Sequence, residues 1–304
     1  MRWQVILFLI LQTNFASYSQ NHFFNTSDSL NKGRTIAVSA GIGAVWAGSM
    51  IGLSQIWYQG VEKTGFHTFD DSKNWLQMDK VGHIYTANKI AQLSGDLFQW
   101  SGVRNNKAAF IGAGVGFGYQ FTLEMLDAYS AKWGFSWSDV GANTIGCGIY
   151  LGQQLAWKEQ RILMKFSSHP TEYAQYRPEI LGTSLAERML KDYNGQTYWL
   201  NASPSRFFKN SSFPKWICFS FGYSVDEKLV GDLENFEFIG NSTLLPRSFQ
   251  SQRQYLFSLD IDFSQLNIKR KWLKTLVSQL NYLKVPFPTV VFMDGNLRGR
   301  WMYF

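Results

Sequence analysis

Residues 107–129 read KAAFIGAGVGFGYQFTLEMLDAY and predict an apolar helix with acids near its end. Gly112, Gly114, Gly116 and Gly118 lie within it. Each helical glycine costs about 1 kcal/mol relative to alanine, so their repetition predicts close helix contact. Glu124 and Asp127 are three apart and share a helix face. Ionisable groups in apolar surroundings are costly, so they must pair, bind a cation or line a polar cavity.

The neighbouring segments repeat this mixture. Residues 76–102 predict an amphipathic helix bearing Asp79, Lys80, His83, Lys89 and Asp96. A further helix over 138–158 carries Asp139, Asn143 and the glycines Gly141, Gly148 and Gly152. Thr35 to Tyr58 holds no charged residue and is long enough for a membrane helix. Gly48 and Gly52 give it a small-residue face suited to helix packing. An aromatic, polar linker over 60–77 contains Phe66-His67-Thr68-Phe69-Asp70-Asp71.

Beyond Arg161 glycine thins, and Pro, Tyr, Ser and Asn become frequent. Leu181 to Leu190 reads as a short helix. Lys215 to Val225 and Gln254 to Phe263 alternate as strands, with Tyr255, Phe257, Leu259, Ile261 and Phe263 on one face of the second. Lys271 to Leu283 places Trp272, Leu276, Leu280 and Leu283 on one helical side, and Pro286 and Pro288 stop it. Thr289 to Met293 and Arg298 to Phe304 predict a hairpin around Asp294-Gly295-Asn296.

Charged residues make up 17% of the 304 and aromatic ones also 17%, against about 25% charged in a typical soluble domain. This composition points to an envelope or membrane protein. The net charge of +7 comes from dispersed Lys and Arg, densest at Lys269-Arg270-Lys271 with Lys274. No nucleic-acid motif accompanies it, and an anionic membrane surface fits the balance better. Membrane lipid is therefore the expected partner, and no protein partner is implied. Residues 1–19 read as an export signal: Arg2, the apolar core Val5 to Leu11, then Ala16-Ser17-Tyr18-Ser19 before the cut. Cys147 and Cys218 are expected to be buried free thiols.

Asp79 and His83 are four apart, so the carboxylate can meet the imidazole, fix its tautomer and raise its basicity. Lys80 supplies a nearby positive charge. Asp139 and Asn143 are also four apart. If the three helices pack together, the set can provide a general acid and base, or hold a hard divalent cation. No cofactor motif is present otherwise. Two blander readings stand beside this one. Ser136 and Asp139 have the spacing of a capping box. Asp79, Lys80 and His83 equally suit a buried network that holds helices in register. Gly112 to Gly118 lacks the preceding strand and the following Gly-Lys-Ser/Thr of a phosphate loop.

The order Asp79-Lys80-Val81-Gly82-His83, Glu124-Met125-Leu126-Asp127, Gly134-Phe135-Ser136-Trp137-Ser138-Asp139, Asn143, Gly146 resembles the DUF2279 family of bacterial envelope proteins. That family includes the YfiM-like predicted periplasmic lipoproteins. Lys191 to Leu200 and Phe213-Pro214-Lys215-Trp216 resemble its longer members from Bacteroidetes. A looser similarity runs to VanZ-like membrane proteins, with Asp-Lys…His, Glu and Asp…Asn…Gly in the same order. No lipidation cysteine like that of the lipoprotein members lies near the cleavage region, so a lipid-anchored N-terminus is not expected.

The expected fold is α+β. A glycine-rich, membrane-embedded bundle of four helices occupies residues 35–160, and a region with antiparallel strands occupies 161–304. The expected function is that of an envelope membrane protein, inner or outer, whose polar cluster organises the bundle. The alternative is a membrane hydrolase or transferase acting on a lipid or cell-wall precursor. There Asp79, Lys80, His83 and Glu124 are the catalytic candidates, and Asp127, Asp139 and Asn143 bind substrate or cation.

Overall fold

The computed structural model describes residues 25–208 and 213–303. The export signal over residues 1–19 and the terminal Phe304 lie outside the described residues. Four long helices come first: α1 (Lys32–Trp57), α2 (Met78–Trp100), α3 (Asn105–Asp127) and α4 (Trp137–Trp157). Three short helices, α5 (Pro178–Leu181), α6 (Leu185–Lys191) and α7 (Pro204–Phe207), and a later helix α8 (Lys271–Ser278) lie among the strands. The strands are β1 (Ile162–Ser168), β2 (Gln196–Ala202), β3 (Ile217–Asp226), β4 (Asn235–Phe238), β5 (Arg247–Gln250), β6 (Gln252–Ile261), β7 (Phe287–Met293) and β8 (Asn296–Tyr303).

Helices α2, α3 and α4 pack on one another around Ala87, Ala91, Ala109, Cys147 and Tyr150. Their approach is close because glycine permits it. A Cβ built on Gly112 would lie 2.4 Å from the Ala91 carbonyl oxygen, and one on Gly146 would lie 2.2 Å from that of Ile84. Gly114, Gly141, Gly148 and Gly152 face open space instead.

The expected membrane bundle of four helices is corrected here. Among the described residues only α1 is long and apolar enough to cross a membrane. The sequence of α2 holds Asp79, Lys80, Lys89 and Asp96, which no hydrocarbon-facing helix tolerates cheaply. Helix α1 stands largely apart from the other three. Val38 is its one buried residue, and Trp46 rests on Tyr119 of α3 at 5.7 Å. The small-residue face at Gly48 and Gly52 has nothing within 4 Å.

Six strands form an antiparallel sheet in the order β1-β2-β3-β6-β7-β8, and β4 and β5 make a separate ribbon. Asp294 and Gly295 join β7 to β8, both with positive φ, as a two-residue hairpin turn requires. The sheet is strongly coiled. Two strands separate β1 from β6, yet Lys165 Nζ of β1 reaches Asp260 Oδ2 of β6 at 2.9 Å. The backbone before β7 folds back on β1, where the Lys284 amide donates to the Phe166 carbonyl at 2.9 Å.

The sheet meets the helices at the start of α2. Trp75, Leu76 and Gln77 have φ of 52°, 50° and 65°, a left-handed run without glycine. Such backbone persists only where its surroundings hold it. The Trp75 amide donates to the Gly231 carbonyl at 2.7 Å, and the Tyr223 hydroxyl donates to the Leu76 carbonyl. Arg253 donates to Gln77 Oε1 at 2.8 Å. Cys147 and Cys218 are both free and buried.

Candidate functional site

Seven side chains from the linker and three helices meet where α2, α3 and α4 converge. Lys80 is at the centre. Its Nζ lies 2.6 Å from Asp139 Oδ1 of α4, 2.7 Å from Asp71 Oδ1 of the linker and 2.9 Å from Asp79 Oδ2 of its own helix. Three carboxylates surround one ammonium, and their fields hold the lysine well above its usual pKa against the opposing effect of burial. Asp79 and Lys80 are adjacent in sequence, and the long lysine stem brings its ammonium back to the neighbouring carboxylate.

The capping reading of Ser136 is half realised. Ser136 Oγ accepts from the Asp139 amide at 3.1 Å and so caps α4. The Asp139 carboxylate does not close the box but turns to Lys80. The Ser136 and Ser138 hydroxyls donate to Asp71 Oδ1 at 2.6 and 2.9 Å, tying the linker to the start of α4.

His83 is not oriented by Asp79, contrary to the expectation from their spacing. Its Nε2 is 3.8 Å from Asp79 Oδ1, too long for a hydrogen bond. Its Nδ1 is 3.1 Å from Asn143 Oδ1 of α4 and 3.3 Å from Gln120 Nε2 of α3. Gln120 Nε2 donates to the same oxygen at 3.2 Å. Asp79 Oδ1 instead accepts from the Tyr193 hydroxyl at 2.9 Å. Glu124 Oε1 stands 3.7 Å from His83 Nδ1, and its Oε2 accepts from the Ser136 amide at 3.3 Å. Burial disfavours charge on His83, but Asp79, Asp139 and Glu124 outweigh it and raise the imidazole above its usual value.

The acids divide in two by environment. Burial pushes Glu124 up to about 8, with Asp139 and Asp127 adding to the rise. Burial also takes Asp127 to about 7 and Asp139 to about 6. Asp79 moves the other way, since His83 and Lys80 together outweigh its burial. Asp127 is not turned to solvent at its helix end; it accepts from the Tyr58 hydroxyl at 2.6 Å, away from the lysine.

Thus the structure brings Asp79, Lys80, His83, Glu124, Asp139 and Asn143 together and leaves Asp127 to one side. Asp71, Gln120, Tyr58 and Tyr193 belong to the same region and were not singled out from the sequence. The Asp70-Asp71 pair in the linker was the only visible signal for Asp71. One ligand atom each from Asp79, His83 and Asp139 lies within 4.8 Å of the other two, a spacing that could hold a metal ion. Two cavities of about 440 and 280 Å³ lie elsewhere. Tyr173, Asp226 and Arg298 help to line the first, and Lys89, Asp96 and Arg206 the second; none of Asp79, His83, Glu124 or Asp139 lines either.

Residues 65–152, which carry all of these groups except Tyr58 and Tyr193, match the family model of a predicted periplasmic lipoprotein, DUF2279. The resemblance seen in the motif order is borne out over that segment. The looser likeness to VanZ-like proteins finds no counterpart in the comparison. The family description and an apolar N-terminal helix fit export to the cell envelope. No curated protein matches the chain, and no solved structure does.

Proposed function

We propose that this is a non-catalytic envelope protein, held at a membrane by α1, whose buried polar cluster locks three helices and the linker into one arrangement. The observation that carries this reading is the Lys80 ammonium. It lies within 2.9 Å of carboxylates from the linker, α2 and α4, and so supplies the positive charge that a bound cation would otherwise provide. A buried charge network of this kind sets register, because each member is costly unless all are in place.

The test is a His83→Ala variant, assayed for thermal unfolding and for an envelope phenotype in cells. The proposal expects the two to fall together. Unchanged unfolding with a lost phenotype would sink it.

A second reading is favoured by the Asp79, His83 and Asp139 spacing. There Asp79, His83 and Asp139 would hold a divalent cation in place of the Lys80 ammonium, and that cation would polarise a lipid or cell-wall precursor. Calorimetric titration with Mg²⁺, Mn²⁺ and Zn²⁺ separates the two. Saturable binding that Asp139→Asn abolishes would favour the enzyme.

A further inference from the structure

An antiparallel sheet in water buries its apolar face and shows its polar one. The six-stranded sheet here buries Trp199, Leu256, Val291 and Met293 on its inner side and still carries apolar residues on its exposed side. Its concave side holds Lys165 and Asp260, both fully buried, with Asn201, Ser220, Ser224 and Thr289 also buried. Its convex side displays Phe219, Phe221, Phe257, Leu259, Val290 and Phe292, each between 40% and 53% exposed. These residues are neighbours across the ladder: Phe219 faces Leu259, Phe221 faces Phe257, and Phe257 faces Val290. They form one continuous patch across β3, β6 and β7. Isolated exposed apolar residues are ordinary, but a contiguous patch of this kind marks a contact surface.

An apolar outer face over an inner side that shelters charged and polar groups is the pattern that a hydrocarbon solvent demands of strands. Strands β3 and β6 are 10 residues each, within the roughly 9–11 residues that match the depth of a bilayer core. The six strands do not close into a barrel, so lipid would lie against one side of the sheet and not ring it.

Helix α8 carries a second, independent observation. Leu273, Leu276, Leu280 and Leu283 lie along one side of α8 and the turn after it, and all are exposed. Lys269, Arg270, Lys271 and Lys274 are exposed beside them. An exposed leucine side next to a basic one is the signature of a helix lying in an anionic membrane surface. Its position agrees. Lys271 Nζ donates to Asn25 Oδ1 at 2.8 Å, just ahead of α1, and Leu283 bridges to Phe166 of β1.

We infer that the convex face of the sheet and the leucine side of α8 form a lipid-contacting surface, with acyl chains against the strands and anionic headgroups at the basic residues of α8. The inference rests on the membrane reading of α1, because α8 is placed at the end where that helix begins.

Spin labels at Phe257→Cys and Leu276→Cys, in the full chain reconstituted into vesicles, test it. The native Cys147 and Cys218 are buried and leave the new thiols as the labelling sites. Relative access to oxygen and to a water-soluble nickel complex is read in phosphatidylcholine vesicles with and without phosphatidylglycerol. The expected result is lipid-like access at 257 in both, and at 276 only with the anionic lipid. Combining Lys269→Gln, Arg270→Gln and Lys274→Gln should lower the partition constant of the 276 site onto anionic lipid by about fivefold per charge removed. Nickel access at 257 in both vesicles overturns the inference, as does protection that vanishes on diluting the protein in lipid, which would mean a second copy covers the face. Alkaline extraction of the unlabelled chain tests α1 separately. A chain that resists extraction while position 257 stays wet leaves the anchor standing and removes only this inference.

Discussion

Lys80 of α2 and Asp139 of α4 meet at 2.6 Å, across a helix pair brought close by Gly146. The glycine makes the approach sterically possible, and the ion pair gives it a register.

Removing the ammonium alone should therefore be costly. Lys80→Met leaves Asp71, Asp79 and Asp139 facing one another without a counter-charge. Loss of one partner of a buried pair costs about 3–5 kcal/mol. Chemical denaturation should show a loss in that range. A loss of only ~0.5 kcal/mol, typical of exposed pairs, would mean that water reaches the cluster freely.

Stability should decline as pH rises from about 5 to 7. Glu124 at about 8, Asp127 at about 7 and His83, also raised, all hold their protons more tightly folded than unfolded. Groups of this kind contribute stability at low pH, and it is lost as pH climbs through their folded values. Asp79 works in the opposite direction, but its window lies below the ordinary carboxylate pKa. Lys89, lowered to about 7 by burial, begins to add stability only above that pH. Thermal midpoints across this range should fall, and Glu124→Gln should flatten the slope. A midpoint that rises over the same range contradicts the assignment.

Two neighbouring glycines should respond oppositely to alanine. Gly146→Ala drives a methyl into the Ile84 carbonyl and should cost about 1–3 kcal/mol. Gly148→Ala enters open space on the same helix and should add roughly 0.5–1 kcal/mol. Equal effects in paired melts would mean that α2 and α4 are not in close contact.

Chelation should change nothing. With Lys80 as the internal cation, EDTA and millimolar Mg²⁺ should leave the melting temperature unmoved. A shift of several degrees would transfer the argument to the cation-dependent reading.

The long helices were legible because their pattern is local. Caps, glycine runs and apolar period place α1 to α4 within a few residues, and the β7–β8 hairpin follows from Asp294-Gly295. Strands β1 and β2 were not recognised. In ILMKFSS the lysine interrupts the apolar run, and only the coiled sheet shows Lys165 turned inward to Asp260. Helical spacing put Asp79 and His83 on one face, but it does not reveal which acceptor the imidazole takes. Its neighbours are Asn143 and Gln120, 60 and 37 residues away on two other helices. Asp71 was hidden for a similar reason, since a linker carboxylate has no periodicity to mark it.

The left-handed turn at Trp75–Gln77 bears on the order of assembly. Its clamps, Tyr223, Gly231 and Arg253, are encoded about 150 to 180 residues downstream. A chain emerging from a translocation channel in N-to-C order would expose α2 and its left-handed entry turn before those clamps arrive. Contacts at such separation form slowly, because the intervening loop must close first. The nascent helices would thus spend this interval with an unclamped turn and exposed aromatic surface, the condition under which export chaperones engage a client. A fragment ending near residue 160 should inherit that condition permanently.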